Sequence, residues 1–151
     1  MKIKEKIWIF SLIAGIIAFI SILAPAWGVI VPSYSFFVWF WGLEVSTDIG
    51  IRFLEVAFLI YGISSTVMIL IGATLLILTS ILYKRQHKKL NYVWIITGVL
   101  IIVASIIYVV GLEIEYPGLL ADENHSTALI GPLISGIIAI ISEVVLFLDR
   151  K

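Results

Sequence analysis

Glu143 is the one charge in an otherwise uncharged run over 126–148. A carboxylate at such depth in a bilayer is costly unless it is neutralised, paired or hydrated, and residues of this kind serve as proton relays, ion sites or subunit contacts. Helical spacing sets Glu143 on one face with Gly131, Ser135 and Ala139. That stripe of small residues is where another helix can close on it, so the carboxylate points into a protein interface. Asp149 lies only about 9 Å further along a helix rising about 1.5 Å per residue. A headgroup contact or a lysine partner therefore accounts for Glu143 better than a relay does, and no second intramembrane acid or base continues a path.

Other candidate chemistry gathers between the apolar runs. Glu113, Glu115, Asp122 and Glu123 with His125 offer oxygen and imidazole ligands for a divalent cation. Their spacing fits no dedicated metal motif, and a solvated acidic loop explains them better. Asn124-His125-Ser126 is an N-glycosylation sequon. Phe36, Phe37, Trp39, Phe40 and Trp41 form an aromatic run with no charge before Glu44. Two readings of that run stay open: it dips into the outer leaflet or packs on the bundle, or it is an exposed patch for a partner protein. The sequence holds no Gly-rich phosphate loop, nucleophile elbow or metalloprotease motif, which points away from an enzyme and from a cofactor or metal. With no cysteine in the chain, disulfides and thiol chemistry are excluded.

The elements that position these residues follow from hydropathy. Of 151 residues, 62% are hydrophobic and 13% charged, net charge is zero and mean hydropathy is +1.17. One small core cannot hide so much apolar surface, and a neutral chain has no field to attract nucleic acid. Crossing a bilayer takes about 20 apolar residues, and four runs qualify. The expected spans are 7–27, 54–83, 90–112 and 126–148, within one membrane domain covering 1–151. Outer loops 28–53 and 113–125 and an inner loop 84–89 join them. A cleavable leader ending near Ala24-Pro25-Ala26 fits less well, because the apolar stretch is too long.

Orientation follows from basic residues, which stay on the cytoplasmic side. All of the ten lysines and arginines except Arg52 fall at the two termini or in the inner loop. Glu44, Asp48, Glu55, Glu113, Glu115, Asp122 and Glu123 fall opposite. Both termini are thus expected in the cytoplasm of a multi-pass cell-membrane protein. Residues 29–46 are rich in β-branched and aromatic types, and Leu112 to Tyr116 alternates apolar with acidic residues. Both outer loops are therefore expected to contribute strands to a small extracellular sheet on an all-α four-helix membrane bundle.

This arrangement resembles the claudin and PMP22-like superfamily. The first span closes on Ala24-Pro25-Ala26-Trp27, similar to the Pro-x-Trp of claudins. Gly42-Leu43 resembles the start of their Gly-Leu-Trp signature, and Arg52 resembles their loop-ending arginine. The chain departs from the pattern at Glu44, which stands in place of the signature tryptophan, and in lacking both loop cysteines. The resemblance implies a sheet on a left-handed bundle and contacts with neighbouring proteins or cells. A structural or interaction protein working through its outer loops, with lipids and other membrane proteins or itself as partners, is the expected function. The alternatives are an accessory subunit docking a larger membrane enzyme or respiratory complex through the Glu143 face, and an ion or proton transporter using Glu143.

Overall fold

The computed structural model describes residues 6–54, 56–86, 92–117 and 127–148. Helix α1 (Ile7–Leu23) leads into strands β1 (Pro25–Val31), β2 (Tyr34–Trp39), β3 (Leu43–Ser46) and β4 (Gly50–Phe53). Helices α2 (Val56–Gln86), α3 (Val93–Glu115) and α4 (Thr127–Leu148) follow. Each helix packs on the next, and α4 closes on α1 to complete a ring. Neighbours run antiparallel. Lys84 of α2 sits 4.6 Å above the Trp8 ring at the start of α1, and Tyr83 meets Trp94 at the start of α3 with centroids 5.6 Å apart. These residues mark a basic end of the bundle, and the sheet stands at the other.

Helices α2, α3 and α4 are long and apolar enough to cross a membrane, over Leu59–Arg85, Val93–Glu115 and Ile130–Leu148. Small and hydroxyl residues share the bundle interior with a few large ones, among them Ile69, Leu76, Trp94 and Ile101. The interior is lined by small and hydroxyl residues such as Ala14, Ala18, Ser65, Ala73, Ala104, Ser105 and Ala139. Large apolar residues, among them Phe19, Leu78, Ile106 and Ile137, face outward on all four helices. Lipid is as apolar as leucine, so helices in a bilayer associate through close packing of small residues, with large side chains left to the acyl chains. Many interior hydroxyls are satisfied locally: those of Ser21, Ser65, Ser80, Thr97 and Ser105 each donate to the carbonyl four residues earlier. Trp94 donates its indole N–H to Thr79 Oγ1 at 2.9 Å, and Thr79 passes its own proton to the Leu75 carbonyl.

The helix within the first expected span is shorter than 7–27. Its 17 residues stop at Leu23 because the residue before a proline is pushed out of helical geometry; Ala24 is extended, at φ −89° and ψ 154°. Trp27 therefore belongs to a strand, not to a span. α2 in turn continues to Gln86, so the first part of the expected inner loop is helical.

The sheet is a meander in the order β1-β2-β3-β4, antiparallel throughout. It is built from the first loop. The expected strand at Leu112 to Tyr116 is not one: α3 runs through Glu115, and Tyr116 N–H bonds the Leu112 carbonyl at 2.9 Å as another helical turn would. Over five residues, alternation and helical periodicity give the same pattern. Leu112 and Tyr116 are four apart and face inward together, while Ile114 points out at 60% exposure.

Candidate functional site

Strand alternation divides the aromatic run. Phe36 and Val38 of β2, Trp27 of β1, and Glu44 and Ser46 of β3 are all buried on the bundle-facing side of the sheet. Phe36 packs edge-on against Trp27 at 5.4 Å and against Tyr116, just past α3, at 6.1 Å. Phe40, in the turn after β2, is fully buried with its ring 4.5 Å from Tyr108 of α3. Phe36 and Phe40 are thus core residues. Phe37, Trp39 and Trp41 form the row on the open side, with centroid spacings of 6.5 Å, and Phe53 of β4 extends it at 6.2 Å from Trp41. Gly42, with φ +85°, takes the left-handed turn that returns the chain to β3, a conformation glycine adopts at no steric cost.

The polar centre of the sheet is Glu44. Its carboxylate is fully buried, yet it lies opposite Arg52 in the β3–β4 register and accepts from Arg52 Nε at 3.0 Å. Tyr116 donates its hydroxyl to the same oxygen, Oε2, at 3.4 Å. Oε1 has no hydrogen-bond partner among the described residues. The bond to Glu44 and its negative charge hold the Arg52 guanidinium above its usual pKa. Burial, then the nearby Glu44 charge, pushes the Tyr116 phenol up to about 12, with Arg52 acting in the opposite direction. The phenol therefore keeps its proton and serves as donor at any physiological pH. A triad of this kind, half-wet at Arg52 and dry at Glu44, adds little net stability; it ties β3 and β4 to each other and to the end of α3. Residue types alone do not pair Glu44 with Arg52. The signal was present in Asp48-Ile49-Gly50, a turn flanked by β-branched residues, which centres a hairpin that sets positions 44 and 52 face to face.

The stripe on α4 is spent inside the chain. Gly131 abuts Ser21 of α1, and Ser135 donates to the Ala14 carbonyl of α1 at 2.6 Å. Ala139 is buried toward α3, near Gly98. Glu143 is 2% exposed and borders a cavity of about 130 Å³ with Tyr92, Ile95, Val144 and Phe147. Tyr92 and Ile95 belong to the start of α3, where the helix dipole favours a carboxylate. Positions four apart drift about the axis, so one stripe meets α1 at its beginning and α3 at its end.

Among the described residues no cluster of three or more His, Asp or Glu could hold a metal ion. Asn124, His125, Asp122 and Glu123 lie outside the described residues. No protein-family model matches the chain, and no curated protein matches it.

Proposed function

We propose that this chain is a structural or interaction protein of the cell membrane, claudin-like in organisation, which makes lateral contacts through the free edge of its sheet. The positions of Lys84 and Arg85 at the end opposite the sheet support cytoplasmic termini and an external sheet.

The observation that carries the contact role is strand β4. All of its residues are exposed, Ile51 at 75% and Phe53 at 62%. Natural edge strands are blunted by proline, lysine, a bulge, shortness or an inward charge; β4 has no proline, lysine or bulge, and its protection is limited to its four-residue length and to Arg52, which Glu44 draws inward. The opposite edge is protected, since β1 opens on Pro25 and its register shifts between Pro25 and Trp27. An apolar, unpaired strand edge can accept a strand from a neighbour, and a second copy is the simplest one.

The absence of cysteine makes this easy to test. Single-cysteine variants at Ile49, Ile51 and Phe53, oxidised in lipid vesicles, are expected to give a disulfide-linked dimer at one or two of these positions, while Ser33→Cys at the β1–β2 turn gives none. Equal yields at Ser33 and β4 would remove the edge as a contact.

The transporter reading has one observation in its favour, the burial of Glu143 beside a cavity. On the structural reading, vesicles holding Glu143→Gln conduct protons no differently from vesicles holding the unmodified chain. A loss of conductance in the variant would favour transport. Docking to a larger complex through the Gly131 to Glu143 stripe would require α1 and α3 to vacate it.

A further inference from the structure

We propose that Trp39, Trp41 and Phe53 form a lipid anchor, seated at the boundary between headgroups and acyl chains in the leaflet at the sheet end. The inference is separate from the edge-strand reading, because it concerns the rim of the open face nearest the bundle and leaves β4's backbone edge free.

Two measures of depth agree. Trp8, beneath Lys84, marks the interface at the basic end. From there to Leu23, α1 rises about 22 Å at about 1.5 Å per residue, short of the roughly 30 Å of hydrocarbon. The chain completes the crossing in extended form, at the start of β1. Along α3, Tyr108 stands about 21 Å above Trp94 by the same rise, and it donates its hydroxyl to the Trp39 carbonyl at 3.5 Å. Beyond Tyr108, α3 still turns Val110 outward before the acids Glu113 and Glu115 of its last turn, so its apolar surface ends just past the level of Trp39.

Strand direction then fixes which end of the sheet is deep. Trp39 is beside Tyr108, whereas Phe36 is beside Tyr116, two turns further along α3. β2 therefore points away from the bilayer from Trp39 to Tyr34. Its pairing with β1, Pro25 opposite Trp39, and the pairing of Leu43 with Phe53 bring the ends of the other strands to the same depth.

The chemistry of this rim fits a lipid surface. Trp39, Trp41 and Phe53 are contiguous rings, Phe53 exposed and the two tryptophans half-buried, Trp41 packing also on the core, and Trp39 joins them to the exposed Leu23 of α1. Glu44 and Arg52 face the opposite side of the sheet, and Asp48 sits in the distant turn. Trp39 donates its indole N–H to the Leu23 carbonyl at 3.0 Å. That carbonyl is one of the last in α1, which the helix itself leaves unpaired, and in lipid no water supplies the missing donor. Amphipathic rings at this level are what hold a membrane protein at fixed depth.

Nitroxide labels on single-cysteine variants in vesicles of phosphatidylcholine and phosphatidylglycerol test the proposal. At Phe53→Cys the ratio of oxygen to nickel-chelate accessibility is expected to be severalfold higher than at Ser33→Cys, and close to that at Leu23→Cys. A ratio at 53 matching that at 33 means water, and exclusion of both reagents means a protein cover; either overturns the anchor. The unlabelled chain gives a second reading that needs no cysteine. Phosphatidylcholine brominated near the glycerol end of its chains is expected to quench tryptophan emission, and W39F/W41F to lose much of that quenching. Undiminished quenching in the double variant counts against the proposal.

Discussion

A leucine at Gly98 is expected to force α3 and α4 apart and to produce the largest loss of stability of any single substitution in the bundle. A Cβ there would lie 2.6 Å from the carbonyl oxygen of Gly136, and a Cβ on Gly136 would lie 2.7 Å from that of Gly98. Both obstacles are backbone, so neither side can yield by changing rotamer. Overpacking usually costs about 1–3 kcal/mol, and a clash against two helix backbones belongs at or above the upper end of that range. The measurement is unfolding of the purified protein in mixed micelles, followed by tryptophan emission. Gly72→Ala is the control. Its new methyl would meet Ile101 Cγ1 at 2.5 Å, the side chain of a residue free to shift, so its effect is smaller. Equal stability of Gly98→Leu and the unmodified chain would mean that these helices do not approach so closely.

Arg52→Met comes second in expected effect, and it acts through its partner. The Glu44 carboxylate stays buried, with Oε1 lacking a protein partner among the described residues and Tyr116 as its remaining donor. A buried charge left without its counter-ion is far more costly than the intact pair is stabilising. The sheet should detach from the end of α3, freeing the already exposed turn near Asp48 to unfold into a protease that cuts after acidic residues. Adding Glu44→Gln to Arg52→Met neutralises the stranded charge and is expected to restore most of the resistance. If the double variant is cut as fast as Arg52→Met alone, the charge of Glu44 is not what Arg52 answers.

Hydropathy made the membrane helices legible, since charge-free runs of this length have few other solutions. It did less well at their ends. Pro25 overrode the apolar continuity from Ile22 to Trp27, and the apolar length of the run gave no hint that its last residues would leave the helix. Leu112 to Tyr116 misled for the opposite reason: a pattern too short to separate a period of two from one of 3.6. Glu143 is buried within the chain, and the small-residue stripe does not reveal which helix covers it, because α1, α3 or a foreign helix offers the same kind of surface. Glu44 stood out in the sequence only as a departure from a family pattern. Its meaning depended on register, and register became readable through the turn at Gly50.

The meander contains only pairings between consecutive strands, whereas α1 and α4 meet across a separation of 121 residues at Ser135 and Ala14. On the ribosome, the strands can zip up while α2 is still being made, and the seam of α1 at Ala14 and Ser21 waits uncovered until the last helix arrives. A nascent copy inserted nearby could supply its own final helix first. Reciprocal exchange of α4 between two chains is therefore the misassembly to which this order of synthesis is most exposed.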